Sequence, residues 1–284
     1  MELSDLKIFL AVARQQSISR AAEELHYVQS NVTARIKQLE AGLGATLFHR
    51  KSKGVALTAA GQLLHDYALR ILSLAKEAED AIAEGGEPQG RLLIGSMETT
   101  AAIRLPQLLA AYHRAYPRVD LNLITGPSAE SLGRLRAFEV DAALVAGEMT
   151  DAALMAEKAF EEELVLVAPL GVQAPLQLDE PKILVFRSGC SYRAQLEKWI
   201  EQRGRRPNRI MEFGSIEGIL GCIAAGMGIS LLPRSVVDRP QHRNNCAIHP
   251  LPPEVGHVTT WLVRRRDEQP SKALQAFREM ILAN

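Results

Sequence analysis

Residues 18–37 constrain the fold more than any other stretch. Ile18, Ala21, Ala22 and Leu25 recur at three- and four-residue spacing and make one apolar stripe. Val32, Ile36 and Leu39 make a second stripe after a short break. Ala21 and Ala22 are small, so two short helices can approach closely. This is the pattern of a helix-turn-helix, whose second helix enters a DNA major groove. With Val32, Ile36 and Leu39 turned inward at roughly 100° per residue, Ser30, Ala34 and Lys37 point outward. Asn31, Thr33 and Arg35 fall on the flanks, and Gln29 lies in the first turn. Short amides and hydroxyls suit base edges, whereas Arg35 and Lys37 suit phosphates. The alternative is an ordinary amphipathic helix with a solvated face.

The flanking segments fit the first reading. Residues 4–15 read as a supporting helix with Leu6, Phe9, Leu10 and Ala13 inward and Ser4 as its N-cap. Residues 47–57 read as a wing whose tip carries Arg50, Lys51 and Lys53, with Gly54 permitting the turn. Such a basic tip reaches phosphates or an adjacent minor groove. Residues 58–84 read as one long helix. Leu57, Gly61, Leu64, Ala68, Ile71, Ala75, Ala78 and Ile82 follow a four-then-three spacing, which predicts a coiled-coil seam and a dimer. Residues 85–90, Gly-Gly-Glu-Pro-Gln-Gly, end that helix and read as a hinge.

Formal net charge is zero over 284 residues, which excludes a protein that coats nucleic acid with its whole surface. The distribution is uneven. Between His26 and Leu57 the basic residues outnumber the single acid, Glu40, to give a balance of +4. A local basic patch fits sequence-specific binding by one small domain. No apolar run approaches the ~18 residues of a membrane span, so no membrane partner is expected. The first residues carry Glu2 and Asp5 and show no signal segment, so a cytoplasmic location is expected. Three cysteines, Cys190, Cys222 and Cys246, are too few and odd in number for a disulfide framework.

From residue 91 onward strands and helices alternate. Strands are predicted at 91–95, 119–124, 142–146, 163–168, 183–186, 229–232 and 258–264. Helices are predicted at 103–115, 129–138, 191–201, 215–225 and 271–282. The order implies sheets covered by helices.

Residues 17–61 resemble the N-terminal domain of the LysR-type transcriptional regulators. The matching runs are 17–22, Leu25-His26, Gln29-Ser30, Val32-Thr33, 36–40, Leu43-Gly44, 47–50 and 54–61, in order and without gaps. One departure is Val28, where many members carry a hydroxyl that caps the second helix. The resemblance continues through 91–95, Tyr116-Pro117, 141–144 and 225–233. It implies a winged helix-turn-helix over 1–58, a linker helix and hinge over 59–90, and an effector domain over 91–284. That domain would be similar to periplasmic binding proteins, with α/β subdomains at about 91–160 plus 264–284 and about 161–263. It further implies a transcriptional regulator of promoter DNA with a small-molecule effector between the subdomains, a dimer of dimers, and RNA polymerase as a candidate partner. No cofactor is implied.

In α/β domains ligands bind beyond the carboxyl ends of strands, where helix starts offer free N–H groups. Three loops qualify: Ser96-Met97-Glu98-Thr99-Thr100, Gly126-Pro127-Ser128, and Gly189-Cys190-Ser191-Tyr192. Ser215 adds a hydroxyl at a fourth helix start. The candidate effector residues are therefore Ser96, Met97, Glu98, Thr99, Gly126, Ser128, Cys190, Tyr192 and Ser215. The alternative for Ser128, Ser191 and Ser215 is plain helix capping. Helix starts favour an organic anion, but Glu98 opposes one unless Arg193 pairs with it, so a cation or a zwitterion stays open.

Three further patterns carry less. Cys190, with Arg187 and Arg193 nearby in sequence, is either an oxidant-sensing thiol or a small residue lining the cleft. His242, Cys246, His249 and His257 match no tight zinc spacing, so no metal site is assigned. The glycines at 214, 218, 221, 226 and 228 lack the order of a nucleotide loop. No nucleophile–base pattern stands out, so the expected class is a regulator and not an enzyme.

Overall fold

The computed structural model describes residues 1–51, 54–82, 86–173, 182–206 and 209–283. The chain divides into two units, Met1–Gly85 and Gly86–Asn284. Among the described residues no helix is long and apolar enough to cross a membrane.

The first unit runs α1 (Leu3–Gln15), α2 (Ile18–Glu24), α3 (Gln29–Leu43), β1 (Phe48–Lys51), β2 (Gly54–Leu57) and α4 (Ala59–Ile82). Leu6, Phe9 and Val12 of α1 meet Ala21 and Ala22 of α2, and Val32, Ile36 and Leu39 of α3, in one buried cluster. Phe48 closes it, its ring 5.2 Å from that of Phe9. The start of α1 differs from expectation. Glu2, not Ser4, is the N-cap, and its N–H donates to the Asp5 carboxylate at 2.9 Å. An acid in the first turn also faces the positive end of the helix, which a hydroxyl cannot exploit.

β1 and β2 pair antiparallel from Phe48 opposite Leu57 to Lys51 opposite Gly54. The Glu40 carboxylate ties this wing to α3 by accepting from the N–H groups of Leu47 (2.7 Å) and Phe48 (3.3 Å). The wing tip at 52–53, which includes Lys53, lies outside the described residues, as does the Arg50 side chain.

The first part of the seam predicted on α4 faces inward, whereas Ala78 near its end is exposed. Gly61 and Ala68 are buried, and Leu57, Leu64 and Ile71 pack on the core of the same unit. The spacing was that of a buried stripe, and periodicity alone does not say whether its partner is the same chain. Among the described residues of α4 the large apolar side chains left exposed are Leu63, Tyr67 and Leu74, four and seven residues apart. The side chain of Ile82 lies outside the described residues.

The second unit contains β3 (Gly90–Ser96), α5 (Glu98–Ile103), α6 (Leu105–Ala115), β4 (Val119–Thr125), α7 (Ser128–Arg136), β5 (Ala142–Ala146) and β6 (Leu154–Ala168). It continues with β7 (Lys182–Phe186), α8 (Ser191–Glu201), β8 (Arg209–Phe213), α9 (Ile216–Ala224), β9 (Ser230–Pro233) and α10 (Arg234–Val237). It ends with β10 (Ala247–Pro250), α11 (Pro253–Gly256), β11 (His257–Arg265) and α12 (Lys272–Leu282). One sheet has the order β10-β6-β11-β5-β3-β4, with β9 also on β6. The parallel pair β7–β8 joins β9 through the bridge Ile183–Ile229.

Two strands run through both halves of this unit. β6 pairs with β11 over its first part and with β9 and β10 over its last. The strand predicted at 163–168 begins earlier, at Leu154, where Glu157, Lys158, Glu161 and Glu162 interrupt the apolar run. Those charges are satisfied in place. Glu157 binds Arg278, Lys158 binds Glu161 at 2.6 Å, and Glu162 binds Arg104 at 2.7 Å. The helix predicted at 103–115 is α6, which starts at Leu105 because Pro106 has no N–H and begins a helix better than it continues one, and the separate short α5 occupies residues predicted as loop. One core gathers around Ile94, Leu105, Tyr112, Leu144 and Phe277 of α12, whose ring meets Tyr112 edge-on at 5.6 Å. A second gathers around Leu164, Ile183, Leu196 and Ile229.

Gly61 tests the packing of the first unit. A Cβ there would stand 2.1 Å from the Leu47 carbonyl oxygen, which is itself held by the Thr58 N–H at 2.9 Å. We expect Gly61→Ala to destabilise this unit by roughly 1–3 kcal/mol. Urea unfolding followed by circular dichroism reads this, and an unchanged midpoint would contradict the packing.

Candidate DNA-reading helix and effector cavity

The outer side of α3 is polar and open. Gln29, Ser30, Asn31, Ala34 and Lys37 are exposed, Thr33 and Arg35 are half-buried, and Val32, Ile36 and Leu39 are buried. Val28 is the N-cap and supplies no side-chain cap. It and Tyr27 are themselves exposed at the tip of the helix. The Ser19 hydroxyl donates to the Gln29 side-chain carbonyl at 3.1 Å, which leaves the amide NH2 pointing elsewhere. The Thr33 hydroxyl donates to the Gln29 backbone carbonyl at 2.8 Å.

Arg35 departs from its expected role. Its Nε lies 2.7 Å from the Asp5 carboxylate, and one terminal nitrogen, Nη2, reaches both Glu2 and the Ser4 hydroxyl. A guanidinium held by acids at the start of α1 is engaged in joining two helices. Among the described residues Lys37 and Lys51 have no such partner, and both are exposed.

In the second unit a cavity of ≈ 60 Å³ opens where β3, β4, β7 and β8 end. At about 10–15 Å³ per water this is room for roughly four to six waters, the size of a small organic molecule. Met97, Glu98, Thr99, Gly126, Ser128, Cys190 and Tyr192 line it together. Ser96 and Ser215 do not. Ser96 is fully buried and donates to the Met97 carbonyl at 3.1 Å. Ser215 caps α9, accepting from the Gly218 N–H at 3.2 Å. Ser128 is no cap, since its hydroxyl accepts from the Ala146 N–H at 3.2 Å. Phe186, Arg187 and Phe213 also line the cavity. Arg187 follows a strand, so the strand-end rule would have found it.

The cavity walls meet at one edge. The Ala129 N–H donates to the Gly189 carbonyl at 3.2 Å, and the Ser128 and Ser191 hydroxyl oxygens stand 3.5 Å apart. Gly189 has φ +90, and a Cβ there would press on Ala129 and Pro127 at 3.1 and 3.3 Å. Close approach of the two loops needs a glycine.

The electrostatics of the wall are unbalanced. Arg193 does not pair with Glu98 but with Glu197 (3.0 Å) and Glu212 (2.6 Å). The hydrogen bond to Glu212, more than any other cause, raises its pKa. The Tyr192 hydroxyl lies near those of Thr99 and Thr260, yet all three are buried without a well-formed hydrogen bond. Burial drives the Tyr192 pKa far above that of a free phenol. Burial also pushes the Cys190 thiol up, against the smaller pull of the Arg193 and Tyr192 N–H groups and the Arg193 charge. Cys190 sits in one core cluster, whereas Cys246 and Cys222 belong to another. His242 meets Cys246 only through its backbone carbonyl, and among the described residues no three metal-ligating side chains converge.

These two sites sit on segments with known counterparts. Residues 3–62 match the family described as bacterial regulatory helix-turn-helix protein, lysR family. Residues 85–284 match the LysR substrate binding domain. The HTH-type transcriptional regulator YusT of Bacillus subtilis is 45 % identical, covering 98 % of this chain and 94 % of its own. The HTH-type transcriptional regulator GltR of the same organism is 43 % identical, covering 98 % and 95 %. Among solved structures, full-length CbnR in complex with its target DNA is similar with a TM-score of 0.67 and 26 % identity, covering 99 % of each chain. With both of its units matched, the chain belongs to the LysR family of DNA-binding transcriptional regulators with an effector-binding domain.

Proposed function

We propose that α3 reads promoter DNA through Gln29, Ser30, Asn31 and Thr33, with Lys37, Arg50, Lys51 and Lys53 on phosphates. The observation that carries this is the division of α3 into a fully buried apolar side and an exposed polar one. The exposed Val28 joins the reading face, since its methyl groups suit the 5-methyl of thymine. Arg35 we reassign to positioning. Its pairing with Asp5 sets the angle of α3 on α1. The chain then acts as a regulator in the cytoplasm, where the DNA is, and not as an enzyme.

Two heads are joined through the exposed face of α4 that carries Leu63, Tyr67 and Leu74. Paired heads fit a site with approximate two-fold symmetry, and further self-association gives a dimer of dimers. The cavity between the ends of β3, β4, β7 and β8 receives a small-molecule effector. It acts through its different affinity for two arrangements of the protein. The edge contacts Ala129–Gly189 and Ser128–Ser191 are what such a ligand would tighten or release. RNA polymerase meets the DNA so held.

Fluorescence anisotropy on the gene's own upstream DNA tests the head. Ser30→Ala and Asn31→Ala should each lose about 1–3 kcal/mol of discrimination between that DNA and a scrambled duplex. Lys37→Ala should weaken both duplexes alike and lower the salt slope by about 1. Arg35→Ala should leave the salt slope unchanged and lower the stability of the head by roughly 1–3 kcal/mol. Equal losses for all four variants on both duplexes would remove the assignment.

Sedimentation tests the stalk. Tyr67→Glu places a charge at the proposed seam, so the assembly should fall to a smaller species while the helical circular dichroism signal persists. An unchanged mass would move the interface elsewhere. The thiol is tested by its own chemistry. A desolvated Cys190 with a raised pKa is protonated at neutral pH, so it should react with iodoacetamide much more slowly than glutathione does at pH 7.5. Rapid alkylation of Cys190 would revive an oxidant-sensing role.

A further inference from the structure

We infer that the molecule fitting this cavity is a small zwitterion of the α-amino acid type, with its carboxylate toward Arg187 and its ammonium toward Glu98. The inference rests on the reading of the cavity as the effector site.

Two charges at the cavity, the exposed Arg187 and the half-buried Glu98, have no counterpart among the described residues. Arg187 and Glu98 both line the cavity. Among the described residues neither forms an ion pair or a side-chain hydrogen bond, although arginines nearby are fully committed. The starts of α7 and α8 are at the cavity too, through Ser128 and Cys190, and both helices exceed eight residues. Their partial positive charge adds to that of Arg187. One side of the cavity therefore wants an anion, and Glu98 wants a cation.

Ligand classes can be sorted on that basis. A simple carboxylate would satisfy Arg187 and the helix starts but would face Glu98 with like charge in a partly desolvated space. A simple amine would satisfy Glu98 and oppose the rest. A neutral molecule would leave both charges unmet. A zwitterion meets both, and a volume of ≈ 60 Å³ limits it to the size of an amino acid.

The buried hydroxyls say something about its side chain. Tyr192 and Thr99 line the same cavity, are 2 % and 3 % exposed, and have no well-formed hydrogen bond. Buried polar groups seldom go without a partner. A ligand side chain that carries a hydrogen-bonding group supplies one. The larger cavity of ≈ 480 Å³ beside Trp261 makes no such demand. Its Arg136 is paired with Asp151 at 2.9 Å, and its Arg266 donates to the carbonyls of Ala152 and Leu154.

The test uses the full-length protein. Thermal shift against the twenty L-α-amino acids at millimolar concentration is followed by calorimetry on each hit. Its des-amino acid and its decarboxylated amine are run alongside. At least one amino acid should stabilise the protein, and each of the two analogues should bind roughly 10-fold weaker or worse. Glu98→Gln should weaken the amino acid by a similar factor and leave the des-amino acid unharmed. Arg187→Gln should do the reverse for the amine. No stabilisation by any amino acid overturns the inference. So does a des-amino acid that binds as tightly as its parent. If that acid is weakened by Thr99→Val but not by Glu98→Gln, the zwitterion is wrong and the cavity still holds the ligand. A ligand indifferent to Glu98→Gln, Arg187→Gln and Thr99→Val removes the cavity itself.

Discussion

The first unit depends on the seating of one helical stripe. Val32, Ile36 and Leu39 are at most 5 % exposed because Ala21 and Ala22 let α3 settle against α1 and α2. An α-helix has a fixed period, so burying that stripe decides which residues face water. The exposed row of Gln29, Ser30, Asn31 and Lys37 is thus a consequence of packing. Two polar contacts keep the stripe in register. Arg35 on Asp5 fixes one flank of α3, and Glu40 on the Leu47 and Phe48 N–H groups ties its far end to the wing.

The second unit is organised on another principle. β6 and β11 pass continuously through both of its halves, so the halves share strands and do not merely touch. Charges along β6 are met by arginines from α6, α10 and α12 or their flanks, which lets a strand of mixed polarity run for 15 residues. Around the cavity the same accounting fails. Among the described residues the half-buried Glu98 and the exposed Arg187 form no ion pair, and the buried Tyr192 and Thr99 hydroxyls make no well-formed hydrogen bond. Natural proteins depart from local consistency where function requires it.

Much of this was legible in the sequence because periodicity is a strong signal where one side of an element is buried. The inward stripe of α3 and the strands at 119–125 and 142–146 follow directly from residue spacing. What was not legible depends on partners distant in sequence. The stripe through Gly61, Leu64 and Ala68 shows equally well as a dimer seam or as a core contact, and only the Leu47 carbonyl beside Gly61 decides. Arg35 reads as a phosphate ligand until Asp5, 30 positions earlier in the chain, takes it. β8 and β10 were missed because each is short and β10 ends at Pro250. Of the effector residues, Ser96 and Ser215 have the right chemistry, but one turns into the core and the other caps its helix.

The central claim is that the exposed side of α3 meets base edges in the major groove from two paired heads. Dimethyl sulfate probing of the full-length protein on its own upstream DNA measures this most directly, because it reports guanine N7, which lies in that groove. The account predicts two patches of protected N7 on one side of the duplex, centred one helical turn or a whole number of turns apart, about 34–36 Å per turn. Bound DNA whose guanine N7 atoms all stay reactive would contradict it.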